Sequence, residues 1–173
     1  MTMHWIASVS GNGSSGTIQI NNIPSTFTHL HLRGSVRSTT TSSQLYIRLN
    51  GDSGGNYATH YVYGTGSGVV GGTGGTSGTV HLLGELPAST SLANTSSVFY
   101  ADLLDYTDTT KYKTIKGSSG YDLNGSGTVW FTSSVWMNTA AVTSIQIPAN
   151  AAFDTNSRFD LYGIISNPLA TGA

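Results

Sequence analysis

Cysteine is absent from the chain, which excludes a disulfide scaffold and any thiol-ligated metal centre. Charge is scarce as well. Lys and Arg total seven, Asp and Glu eight, and charged residues make up 9% of the 173 residues, against about a quarter in ordinary globular proteins. Lys and Glu, the usual solvated pair of helix surfaces, number only four together, which argues against helix bundles and coiled coils. The net charge of −1 leaves no electrostatic footprint for nucleic acid or for an anionic membrane. It also gives little colloidal repulsion, a property suited to a protein held in an assembly. No apolar run approaches the ~20 residues of a membrane helix. The opening residues MTMHWI lack the basic start and long apolar stretch of a signal peptide.

What is present is hydroxyl, amide and glycine: Ser, Thr, Asn and Gly account for 81 residues. Between turn-rich breaks the apolar residues alternate with period two, the mark of half-buried strands. Alternation predicts strands over 5–9, 17–20, 27–36, 45–49, 57–63, 79–86, 98–104, 111–116, 127–135, 142–147 and 158–164. Leu30 and Leu32 share one face of the third strand, and His29, His31 and Arg33 the other. Leu45, Ile47 and Leu49 point inward from the fourth, Tyr46 and Arg48 outward. The stretch bounded by Gly64 and Gly78 holds eight glycines and little bulk, and reads as a long loop outside the core. With no amphipathic helix and no crossover connection, the expected fold is a single all-β domain over 1–173, an antiparallel β-sandwich of jelly-roll type.

Four groups of residues invite a chemical reading. Gly51, Asp52, Ser53, Gly54 and Gly55 copy the nucleophile loop of trypsin-like proteases. However, the residues before Asp52 contain His4, His29 and His31 but no Asp, so the orienting carboxylate has no source upstream. The plain reading is a hairpin turn with Asp52 as its cap. His29 and His31 place two imidazoles on one strand face, a possible metal pair if His60, His81 or a carboxylate joined them. The plain reading is a solvated polar face, and no metal or other cofactor is expected. Asp102 and Asp105 could be written as a glycosidase pair, but alternation puts them on opposite strand faces. Asp122, Asn124 and Ser126 faintly resemble a calcium loop, yet position 133 is Ser where such a loop needs Glu. Aromatics are plentiful: Trp130, Phe131, Trp136, Tyr61, Tyr63, Tyr100, Tyr106, Tyr112, Tyr121 and Tyr162. They suit core filling, sugar stacking or a subunit interface. No enzymatic constellation survives.

Five stretches together resemble a family of small virion surface proteins of tailed bacteriophages. Residues 22–33 (NIPSTFTHLHLR) are similar to its IPxTYxHLxIR strand, and 46–57 (YIRLNGDSGGNY) to its xIRFNGDTGxNY hairpin. Residues 105–114 (DYTDTTKYKT), 136–145 (WMNTAAVTSI) and 153–164 (FDTNSRFDLYGI) resemble DYxxTxKYKT, WxNTAAITSI and FAxGSRFxLYGI. The resemblance covers nearly the whole chain, in order, and makes the protease-like motif the family's NGDTG turn. It implies a β-sandwich on the outside of a virion, as a homotrimer. The chain opens directly in the domain without a shaft, which favours a capsid cement or decoration protein bound to the major capsid protein and assembled in the host cytoplasm. The alternative is a tail-fibre or spike tip that holds a host surface glycan. No nucleic-acid or membrane partner is expected. Trp5 and the segment from Gly64 to Gly78 are the candidate interface residues.

Overall fold

The computed structural model describes residues 2–74 and 77–165. Twelve strands follow one another: β1 (Thr2–Ser10), β2 (Thr17–Ile20), β3 (His29–Val36), β4 (Ser43–Leu49), β5 (Tyr57–Gly64), β6 (Val69–Thr73), β7 (His81–Leu86), β8 (Ser97–Leu104), β9 (Lys113–Asp122), β10 (Gly127–Trp136), β11 (Ile145–Pro148) and β12 (Arg158–Ile165). No helix occurs among the described residues. All pairings between these strands are antiparallel. They form a large sheet in the order β1-β12-β3-β8-β9-β10-β5-β6 and a small one in the order β2-β11-β4-β7. The sheets pack face to face as a sandwich, as expected. Their division into eight and four strands is broader than an eight-strand jelly roll.

The alternation seen in the sequence becomes the core. Leu30, Leu32 and Val36 of β3 face inward beside Phe99, Ala101 and Leu103 of β8. They meet Leu45, Ile47 and Leu49 of β4, with Ile18 and Ile20 of β2 and Ile145 and Ile147 of β11 in the same cluster. Phe159 packs edge-on against Phe153, with ring centroids 4.8 Å apart. Tyr57, wholly buried, stacks on Trp136 and accepts the Leu49 N–H at 2.8 Å. Burial pushes its phenol up to about 12, so it stays a neutral hydrogen-bonding group.

Two departures from the expected strands share a cause. The segment from Gly64 to Gly78, expected as a loop, contains β6, which pairs with β5 from Val69 opposite Gly64 to Thr73 opposite His60. It stays outside the core, as its composition indicated, because Val69 and Val70 are exposed. Gly75 and Thr76 lie outside the described residues. The ninth strand continues to Asp122 rather than ending at 116. Gly117, Ser118, Ser119 and Gly120 carry no apolar alternation there because β7 comes down on them. A Cβ at Gly117 would stand 2.4 Å from Leu83 Cδ1, and one at Gly84 would stand 1.7 Å from Ser119 Oγ. The two sheets touch through missing side chains, which apolar periodicity cannot report.

His81 opens β7 at zero exposure, and neither ring nitrogen has a hydrogen-bond partner. Burial alone pushes its pKa down to about 3. The folded value lies below that of the unfolded chain, about 6.5, so the unfolded chain takes up the proton first. The His81 contribution to stability is therefore fully present above pH 6.5 and is lost as pH falls towards 3. Urea unfolding at pH 5 should show a stability about 2 kcal/mol below that at pH 7 from this residue. His81→Leu should flatten that slope and leave the pH 7 stability equal or higher. An unchanged slope in the variant would refute the assignment.

Candidate functional site

The protease-like motif is a structural corner. Asn50 and Gly51 take φ of 52° and 67°, and the Asp52 N–H bonds to the Leu49 carbonyl at 2.9 Å. These are the positive φ angles an Asn-Gly turn takes, but β4 and β5 lie in different sheets and do not pair, so the expected hairpin is instead a corner between the sheets. The Asp52 carboxylate accepts the Trp136 indole N–H at 2.7 Å, the Asn56 amide at 2.9 Å and the Gly54 N–H at 2.9 Å. The Trp136 bond is the largest influence holding its carboxyl below the usual value. Asn50 reaches the other way. Its side-chain oxygen accepts from the Thr143 and Ser144 N–H groups at 2.8 and 3.1 Å, and its amide donates to the Ala141 carbonyl at 2.8 Å. Ser53 is exposed.

The outer face of the large sheet gathers most of the remaining candidates. His31 faces Asp102 across β3 and β8, with Nδ1 2.6 Å from the carboxylate. His29 lies 3.4 Å from Asp105, and Lys111 is 2.5 Å from the same carboxylate. Asp102 and Asp105 therefore share a face, against the alternation argument. β8 ends at Leu104 and Asp105 turns with φ 49°, so strand parity no longer applies to it. His60 does not join the histidine pair. It stands on β5, four strands from β3, or about 19 Å. His81 is buried in the other sheet. Among the described residues no group of three His, Cys, Asp or Glu side chains is placed to hold a metal.

Other sequence signals resolve into local scaffolding. Asp122 accepts the Asn124 N–H at 2.7 Å in the β9–β10 turn, and Asn124 and Gly125 have positive φ. Lys113 is wholly buried, donating to the carbonyls of Asp108, Lys111 and Thr139, and burial lowers its pKa. Tyr106 and Trp136 are core; Trp130 is buried under Tyr63, with centroids 4.2 Å apart. Tyr100, Tyr112 and Phe131 stay exposed. The buried role of Lys113 had one signal in the sequence: its parity matches Ile115, an inward residue of the same strand.

The candidate interface residues are not brought together. Trp5 projects from β1 at 63% exposure, its indole donating to Ser8 at 2.9 Å. Gly64 ends β5, and Gly78 bridges back to Tyr57. Trp5 on β1 and Gly64 on β5 therefore lie six strand spacings apart in the large sheet, or about 29 Å along a flat sheet. No family model, curated protein or solved structure matches the chain.

The corner gives a paired expectation. Asp52→Ala strips the buried Trp136 indole of its acceptor and should destabilise the fold by about 2 kcal/mol. Ser53→Ala, at an exposed position, should stay within about 0.5 kcal/mol of the parent. Chemical denaturation of the two variants reads both, and equal effects would contradict the structural role given to the corner.

Proposed function

We propose that the chain is a structural protein of a tailed-phage virion, a cement or decoration protein that assembles as a homotrimer on the outer capsid surface against the major capsid protein. The observation that carries the assembly is the pair of uncharged edge strands of the large sheet. Free edges in native proteins are usually protected by Lys, Pro or bulges. β1 (TMHWIASVS) and β6 (VVGGT) hold no Lys, Arg, Asp, Glu or Pro; β1 has one register irregularity between Trp5 and Ala7, and β6 pairs in unbroken register. Trp5 is exposed on one edge strand and Val69 on the other. An edge of one kind meeting an edge of the other is a head-to-tail contact, and such contacts close into rings when the rotation permits. Three copies closed in this way would cover every β1 and β6 edge with a neighbour.

The virion setting rests on the five sequence stretches that resemble phage surface proteins. A cement role follows physically from such a ring. It would add buried area between capsomers, and the stabilisation would scale with that area. A tail-fibre tip that binds a host glycan is the alternative location for the same trimer.

Light scattering at micromolar concentration should give three times the 18.1 kDa chain mass. Val69→Lys with Val70→Lys places charge on the β6 edge and should yield a folded monomer with unchanged circular dichroism. A parent protein that runs as a monomer, or a double variant that stays trimeric, would overturn edge pairing. Virion reconstruction with density for the chain only at the tail would replace the capsid role with the fibre-tip one.

A further inference from the structure

Three shallow hollows on the outer face of the large sheet join into one trough. The first, about 400 Å³, lies over Gly34 and Ser35, with Arg158 and Asp160 on one side, Val98 on the other and Arg33 beside it. The second, about 310 Å³, shares Arg33 and Val98 with the first and extends to Tyr100 and Asp102. The third, about 420 Å³, shares Asp102 and ends at Lys111 and Tyr112. The trough crosses β12, β3, β8 and β9 obliquely. Three strand spacings one way and the length of β8 the other give it a span of about 25 Å. That shape suits an extended polymer better than a compact small molecule.

Its charges narrow the class of polymer. Arg158, Arg33, Lys116 and Lys111 border the trough, together with Asp160, Asp102 and Asp105. Among these Lys, Arg and Asp residues the excess is one positive charge. A nucleic acid, with one phosphate per nucleotide, calls for a larger cationic excess. A chain with sparse anionic groups does not.

The cations also differ in how they are occupied. Lys111 is held by Asp105, and Arg158 bonds Asp160 through Nε at 2.9 Å. Arg33 has no carboxylate within ion-pair distance among the described residues, and its guanidinium lies over the Tyr162 ring, 5.2 Å from the centroid. Stacking orients that fork while leaving its N–H edge open to a planar carboxylate. Further along, Tyr100 and Tyr112 are exposed at 43% and 55%. Their rings offer apolar faces to sugars, and the Asp102 and Asp105 carboxylates offer acceptors to sugar hydroxyls.

The geometry points to an acidic polysaccharide bound along this trough, with a uronate carboxylate on Arg33 and the following rings laid over Tyr100 towards Tyr112. The site lies on the sheet face and not on its edges, so it does not depend on the trimer. The test is calorimetric titration of the protein, in the oligomeric state it adopts, at low ionic strength with a hyaluronan hexamer, which carries one glucuronate per two sugars, with maltohexaose and with a thymidylate hexamer. The hyaluronan oligomer should bind, with maltohexaose and thymidylate each weaker by about tenfold or more. Arg33→Gln should weaken hyaluronan binding by about tenfold and leave maltohexaose unchanged. Tyr112→Ala should weaken both sugars. If Arg33→Gln does not fold, Arg33→Lys, which keeps the charge without the planar fork, should still weaken hyaluronan binding. Absence of hyaluronan binding, equal binding of maltohexaose, thymidylate binding as tight as hyaluronan, or an Arg33 variant that binds like the parent would each overturn the proposal.

Discussion

The hydrogen-bonded corner at Asn50 and Asp52 is the constraint on which the sandwich depends. The chain leaves the small sheet at Leu49 and enters the large sheet at Tyr57, and that passage fixes where one sheet lies on the other. Asn50 binds the segment that leads into β11, Asp52 binds the last residue of β10, and the Tyr57 hydroxyl accepts from Leu49 itself. One turn therefore ties β4, β5, β10 and β11 together. Ionised acceptors make the stronger hydrogen bonds, and Asp52 is among the few carboxylates this chain possesses. That use accounts for the aspartate of a motif that resembles a protease loop. The glycines supply the turn, and the aspartate faces the indole.

Much of this architecture is legible in the sequence because half-buried strands advertise themselves. The inward residues of β3, β4 and β12 read directly from period-two alternation, and so does the polar face that carries His29, His31 and Arg33. What alternation misses is contact made through small residues. Gly117 and Ser119 lie where β7 presses on β9, and Gly71 and Gly72 are two of the five residues of the edge strand β6. Neither segment shows the alternation of apolar residues that marks a half-buried strand. The cross-strand partners were equally hidden. His31 meets Asp102 from 71 positions away, and Arg33 and Arg158 border one hollow only because β3 and β12 are neighbours.

The scarcity of charge gives each cation a traceable task. Arg37 gathers the backbone carbonyls of Ser89, Ser91, Leu92 and Thr95, holding a long loop that has no strand of its own. Arg48 bonds the Thr79 carbonyl at 3.2 Å and the Gln146 amide oxygen at 3.3 Å, linking β7's approach to β11. Lys113 fills a ring of carbonyls inside the fold. These three act as internal fasteners where a charge-rich protein would use exposed ion pairs, which contribute little in water. Arg33 and Lys116 are different. Both stand on the outer face of the large sheet, on either side of β8, with no carboxylate in ion-pair range among the described residues.

Edges and face then divide the exposed surface between two kinds of contact. A free strand edge offers a row of backbone donors and acceptors, so its natural partner is another strand, and charge on that strand would oppose the pairing. A sheet face offers side chains alone, so it can select by charge and ring stacking without disturbing the sheet beneath. In this chain both edge strands, β1 and β6, are without Lys, Arg, Asp or Glu, while Arg33, Tyr100 and Lys116 lie on β3, β8 and β9 at the middle of the same sheet, with Tyr112 just before β9. Assembly through the edges would leave that middle open in every copy. A closed ring would then repeat the trough with its own symmetry, and a weak contact at one trough would be reinforced when one polymer, or several strands of a coat, reaches more than one copy.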